Sequence, residues 1–175
     1  MVKVAVTGPE STGKSTLSQA LAEHYNVSWA REFARDFLRG RSGKYNLSDL
    51  DEIAQGQQKN IDALRNEEIV IADTEMTVMK VWSEFKYGES SQVINDLWES
   101  QHFNIYLLCA PDIPYEKDPL REHEAFREEL FEIYHNILRQ MNVHFVILKG
   151  NIESRINQAI TEIDQLIGQN ISDKH

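Results

Sequence analysis

Gly8-Pro9-Glu10-Ser11-Thr12-Gly13-Lys14-Ser15 is a complete G-x-x-x-x-G-K-S, and the residues flanking it decide what it means. Before it, residues 2–7 (VKVAVT) form a short β-rich run. After it, Leu17, Ala20, Leu21 and Tyr25 recur at helical spacing from Lys14 onward. A strand, a glycine-bearing turn and a helix in that order point backbone N–H groups inward at phosphate oxygens, and the helix N-terminus adds its dipole. In a chain of 175 residues such a motif arises by chance less than about 1% of the time. The expected ligand is a nucleoside triphosphate with Mg²⁺. Lys14 is expected to reach the β- and γ-phosphates and Ser15 to ligate the metal. Gly8, Glu10, Ser11, Thr12, Gly13 and Thr16 complete the wrapping. The plain alternative is a strand–helix turn with no ligand.

Working outward, the elements alternate in type. A short strand is expected at 27–30, then a mixed-charge helix to about Arg39, ended by Gly40, Ser42 and Gly43. A second helix follows Asn46-Leu47-Ser48, with Ser48 as N-cap and Asp51 in a box-like position, and runs to about Asn66. Residues 69–72 (IVIA) read as a fully apolar strand closed by Asp73. Helices are expected at 74–85 and 91–100 with Tyr87-Gly88 between them, and further strands at 104–109 and 143–148. A long helix is expected from about Glu122 to Met141 and a last one from about Glu153 to Ile167, fraying after Gly168. Apolar strands without alternation, separated by helices, indicate a parallel sheet covered on both faces. The expected fold class is α/β: a P-loop, nucleoside kinase-like three-layer sandwich with about five parallel strands, in one domain over residues 1–175.

Composition narrows the function. A chain of 175 residues buries about 70% of its unfolded surface and needs no disulfide or metal to hold a core. It carries 18 Lys and Arg against 28 Asp and Glu, a formal charge of −10. That balance argues against a nucleic-acid-coating protein, whose affinity rests on cations neutralising phosphates. Any anion must be held by a local device working against the overall field. The single Cys109 lies in the apolar run 105–110 and reads as a buried, inert thiol. No run approaches the ~18 apolar residues of a membrane span, and no apolar leader precedes Val2. The chain reads as cytoplasmic, with no membrane or nucleic-acid partner; the sequence assigns no oligomeric state.

Among P-loop proteins, the guanine-reading N-K-x-D and the D-x-x-G switch are both missing. A small-molecule kinase fits the size: cradle, acceptor pocket and cationic lid. Asp73, at the C-terminal end of a strand, stands where the ligand crevice of such sheets lies and where an acidic group holds Mg²⁺. It also suits an N-cap for the next helix. Pro111, Pro114 and Pro119, with Lys117, Arg121 and Arg127, mark residues 111–128 as a candidate lid, Arg121 ahead of Arg127. The alternative is a solvated helix face on which these arginines pair with Glu122, Glu124 and Glu128. On the acceptor side, Glu32, Arg35 and Asp36 share one helical face by spacing. Five basic and two acidic residues between Arg31 and Lys44 give a local +3. Glu32, Asp36 and Asp73 are the candidate proton acceptors for an attacking hydroxyl. Trp82 and Tyr87 are either core residues or a platform for a planar base, and the loop Lys149-Gly150-Asn151 is a candidate adenine reader.

These residues resemble a known family. The P-loop, Arg31-Glu32-Phe33-Ala34-Arg35, Ala54-Gln55-Gly56-Gln57, Ala72-Asp73-Thr74 and Asp118-Pro119-Leu120-Arg121 are similar, in order, to the ribosylnicotinamide kinase domain of NadR-type proteins. Those are P-loop small-molecule kinases of the AAA-type ATPase-like group. The resemblance runs from Val4 to about Leu148. It implies ATP-dependent phosphorylation of the 5′-hydroxyl of nicotinamide riboside, in NAD biosynthesis. By position it implies Lys14 and Ser15 on triphosphate and Mg²⁺, Asp73 on metal or acceptor, Glu32 and Asp36 facing the ribose, and Arg121 in the lid. Where family members have Trp immediately before that Glu, this chain has Arg31, with Trp29 two residues earlier. The H-x-G-H motif of the family's adenylyltransferase domain does not occur, which implies a kinase unit alone. Two other readings remain: a kinase for another small hydroxyl or phosphate acceptor, and a non-catalytic ATP-binding module.

Overall fold

Runs of Val, Ile and Leu without polar alternation cannot present one face to water, so each strand must lie between two layers. In the computed structural model five such strands form one sheet: β1 (Val2–Thr7), β2 (Trp29–Ala30), β3 (Ile69–Asp73), β4 (Ile105–Cys109) and β5 (Phe145–Leu148). All neighbours are parallel and their order is β2-β3-β1-β4-β5. The structure describes residues 1–172 except Ser42 and Glu122, and of 170–172 only the helix backbone. The chain break expected at Ser42, the helix start at Glu122 and the pairing of Glu122 with nearby arginines lie outside the described residues.

Successive side chains point to opposite faces. Val4, Val6, Ile71, Leu107 and Cys109 meet Leu17 and Leu21 of α1 (Lys14–Tyr25) and Ala159 and Ile163 of α7 (Ile152–Ser172). On the other face Ala5, Tyr106 and Leu108 meet α4 (Met76–Tyr87) and α6 (Arg127–Met141), and Val70 and Ala72 meet Ile61 of α3 (Leu47–Asp62). A further apolar cluster joins α2 (Phe33–Arg39), α3, α4 and α5 (Gln92–Ser100) above the sheet edge that carries β2. These are the three layers expected, and among the described residues no helix is long and apolar enough to cross a membrane.

Several boundaries differ from the expectations for local reasons. β2 is two residues rather than four because the amide of Val27 is taken by the Ala22 carbonyl at the end of α1. α3 is capped by Asn46, not Ser48: the Asn46 side chain accepts from the Asp49 amide, and the Asp49 carboxylate accepts from the Asn46 amide. The helix ends at Asp62, short of Asn66. α4 starts at Met76, since Thr74 has φ +79, and its N-cap is Glu75 rather than Asp73. α6 starts at Arg127 after a 3₁₀ turn at Glu124–Phe126. α7 continues through Gly168 to Ser172 instead of fraying there.

Candidate active site

Register builds the site. β1 pairs with β3 so that Val6 faces Asp73, and the Thr74 amide donates to the Val6 carbonyl at 3.1 Å. The carboxylate at the end of β3 is thereby set beside the loop that leaves β1; a slip of one residue would turn it to the other face. The loop itself must turn sharply against β4. Gly8 adopts φ +126, and a Cβ there would sit 2.8 Å from the Cys109 carbonyl oxygen, so only glycine fits. Ser11 (φ +54) and Gly13 (φ +79) also take left-handed backbone, which turns successive amides into one concavity. Lys14 folds back onto the Gly8 and Pro9 carbonyls at 2.9 and 2.7 Å.

A cavity of about 780 Å³ opens from this loop. Gly8, Glu10, Ser11, Thr12, Gly13, Lys14, Ser15 and Thr16 line one end, with Ile113 and Ile152 beside them. Asp73 also lines it, 3% exposed, and its Oδ1 makes no hydrogen bond. Burial pushes this carboxyl up to about 6; the nearby Glu32 charge adds to the rise, while a hydrogen bond to Ser15 and the charge of Lys14 oppose it. An orphaned, buried carboxylate oxygen next to a serine hydroxyl and a lysine suits a hard cation. Among the described residues no group of three or more His, Cys, Asp or Glu forms a site that would hold a metal by protein ligands alone. The other end of the cavity is lined by Trp29, Arg31, Glu32, Arg35, Tyr45 and Trp82.

Of the residues singled out in the sequence, Asp36 and Arg127 are not among those lining this cavity. Glu32 is the N-cap of α2 with extended backbone, so the i, i+4 relation expected of Asp36 does not hold. Asp36 is 81% exposed and pairs with Arg39 at 3.8 Å. Arg127 lies behind the P-loop, donating to the Ser11 and Ile113 carbonyls at 2.9 and 3.0 Å. Arg121 does face the cavity and reaches the Ser11 hydroxyl at 3.1 Å and the Glu116 carbonyl. Glu116 and His123 also touch the P-loop: the Glu116 amide donates to Ser11 Oγ, at 2.7 Å, and the His123 amide to the Glu10 carboxylate. Arg35 ties the 111–128 segment to α2 through Asp118 at 3.2 Å. Trp82 lines the cavity and donates to the Tyr45 hydroxyl at 2.9 Å, whereas Tyr87 packs edge-on against Tyr45. In the Lys149-Gly150-Asn151 loop, the Gly150 amide is taken by Asp112.

Four further residues support the site; Gly56 and Gln57 stood out in the sequence only through the family resemblance, and Arg155 and Glu75 were not singled out at all. Gln57, 1% exposed, donates to the carbonyls of Asp73 and Thr74 and accepts from the Phe33 amide, joining the ends of β3 and α2. Gly56 beside it lets Phe33 lie flat on α3: a Cβ would come within 2.4 Å of the ring. Arg155, fully buried, donates to the carbonyls of Gly150, Thr12 and Ala110 and to the Asp112 carboxylate. Its signal was an arginine inside the apolar stripe Ile152, Ile156, Ala159, Ile163 of a helix. Glu75, also fully buried, is held by Thr7 at 2.8 Å and the Thr77 amide at 2.6 Å, while burial raises its carboxyl.

Comparison with known proteins bears on the family and the fold. Residues 3–155 match the model of a family described as AAA domain. The chain belongs to that family. This AAA domain is 27% identical over 179 aligned residues to the trifunctional NAD biosynthesis/regulator protein NadR of Salmonella typhimurium, covering 95% of this chain and 43% of that protein. It therefore spans less than half the length of that curated relative. A crystal structure of NadR in complex with NR shares the fold at TM-score 0.80 and 22% identity, over 94% of this chain and 51% of the other. Deoxyadenosine kinase from M. mycoides does so at TM-score 0.70 and 14% identity, over 94% of this chain and all of that one. The three-layer, five-stranded parallel architecture of the AAA domain is thus that of P-loop nucleoside kinases.

Proposed function

We propose that this chain is an ATP-dependent kinase that transfers the γ-phosphate to the 5′-hydroxyl of a nucleoside, with nicotinamide riboside as acceptor. The observation that carries this reading is the single cavity in which the P-loop and Asp73 meet the pocket of Trp29, Glu32, Arg35, Tyr45 and Trp82. The likeness to NadR supports the acceptor. Residues 1–175 act in this reading as one kinase unit, with 111–128 as its lid.

Ser15 and the free oxygen of Asp73 would hold Mg²⁺, which when bound neutralises charge on the phosphate oxygens. The backbone amides of 8–15 bind the triphosphate, and Lys14 exchanges its two carbonyl partners for phosphate oxygens. Arg121, presented over the loop by Ser11, stabilises charge that develops on the transferred group. Glu32, oriented by Arg35 at 3.5 Å, accepts the hydrogen bond and then the proton of the attacking hydroxyl. Closure of 111–128 excludes water from the transfer. The basic stretch behind the reading as a kinase for a phosphorylated acceptor is largely claimed within the chain: Arg35, Arg39 and Arg41 are paired with Glu32 and Asp118, Asp36, and Asp49, which leaves Arg31 as the arginine of that stretch open to an anion in the cavity.

Incubation with Mg·ATP and nicotinamide riboside should yield the mononucleotide and ADP, with at least a thousandfold less from Lys14→Ala. Turnover of another nucleoside but not this one would overturn the acceptor. ATP binding without product from a broad nucleoside panel would overturn the kinase reading in favour of a non-catalytic module.

A further inference from the structure

Arg31 leaves the C-terminal end of the edge strand β2 and enters the acceptor end of the cavity. Its guanidinium lies over the Trp29 ring, 4.8 Å from the centroid, and both side chains line the cavity. Every other arginine of the cavity is engaged by protein oxygens. Arg35 meets Glu32 and Asp118, and Arg121 meets Glu116 and Ser11. Arg31 has no carboxylate partner among the described residues; Glu32, next in the chain, is held on Arg35. The stack on Trp29 restrains the guanidinium while its N–H edge stays available, and such an edge matches a carboxylate in a two-pronged contact.

The charge of the acceptor then matters. A pyridine riboside carries a fixed positive charge on the ring nitrogen through which it is joined to the sugar. With a neutral carboxamide on the ring that cation shares the acceptor end with Arg31, and Glu32 at the same end is already held on Arg35, so the two like charges count against binding. With a carboxylate on the ring the base has no net charge and offers Arg31 its natural partner. Resting on the nucleoside-kinase reading above and refining its acceptor, we propose that Arg31, held over Trp29, is a specificity-determining residue that favours a riboside whose planar base bears a carboxylate, so that the carboxamide analogue is an acceptor but the poorer of the two.

The test compares kcat/KM for nicotinic acid riboside and nicotinamide riboside in the wild-type protein, Arg31→Gln and Arg31→Lys. The wild type should favour the acid by tenfold or more, mainly through KM, and the preference should shrink as salt is raised. Arg31→Gln should bring the ratio near one by losing the acid and gaining the amide. Arg31→Lys, a point charge without the planar stack, should fall between. Arg31 is exposed, so both variants should keep the wild-type melting temperature. Equal use of the two ribosides, preference for the amide, or an acid preference that survives Arg31→Gln would overturn the inference while leaving the kinase reading standing. Phosphorylation of neither riboside, nor of any nucleoside in the panel, would overturn both.

Discussion

Asp73 illustrates a residue whose position opposes the stability of the protein alone. Its carboxyl is raised to about 6, mainly by burial and then by the charge of Glu32. The native state therefore keeps a proton that the unfolded chain releases near pH 4, and metal-free stability should decline as pH rises from about 4 to about 6. At pH 7.5 the neutral Asp73→Asn removes a cost on the order of 2–3 kcal/mol. The variant should melt about 5 °C higher without metal, yet lose at least a thousandfold in kcat. A flat urea-unfolding profile between pH 4 and 6 would contradict the assignment. Arg155 is the opposite case. It donates to three carbonyls around the P-loop from a fully buried position, so Arg155→Met removes that donor from all three and leaves Asp112 to the Gly150 amide. A loss of about 3–5 kcal/mol in chemical denaturation is expected, with weaker ATP binding. Lysine at 155 should not restore either, since one ammonium cannot span the same fork.

Between elements, the decisive contact is α3 on α2. Gln57 spends both ends of its amide on fixing where β3 and α2 terminate, and Gly56 leaves room for Phe33. Gly56→Ala pushes a methyl into the Phe33 ring and shifts the α2 N-terminus that carries Glu32. The expected cost is about 1–3 kcal/mol, with acceptor KM raised at least fivefold and ATP affinity, measured by calorimetry, unchanged. Equal losses for both substrates would show that the shift spreads to the P-loop. The alternation of elements was legible in the residues because each strand is an unbroken apolar run and each helix carries a 3.6-residue period. Their ends were less legible. The short β2 and the start of α4 depend on which carbonyl takes the Val27 amide and on the left-handed backbone of Thr74.

For the molecule as a whole, β1 and β4 form the dry centre. Cys109 has no exposed surface, and burial pushes its thiol up to about 11. Native protein at pH 8 should not react with a thiol reagent except at the rate of global unfolding, because no local opening uncovers the central strands. Rapid labelling without loss of secondary structure would contradict this. The site, too, is a property of the whole. Residues 8–15, Asp73, Arg121 and the alternation of strands could be read directly, since a phosphate cradle needs consecutive residues and a buried strand needs consecutive apolar ones. Glu32 was legible as a candidate through its spacing, but that spacing also misplaced Asp36 on the same face. Arg127, Gln57, Arg155 and the Trp29–Arg31 stack act across separations of two to 143 residues, counting from Arg155 to the Thr12 carbonyl it holds. Chain order determined the cradle and the layers, because both arise from local backbone geometry and hydrophobic period. Tertiary structure alone decided which charges face the cavity, because that depends on which distant carbonyls and carboxylates have already claimed the arginines.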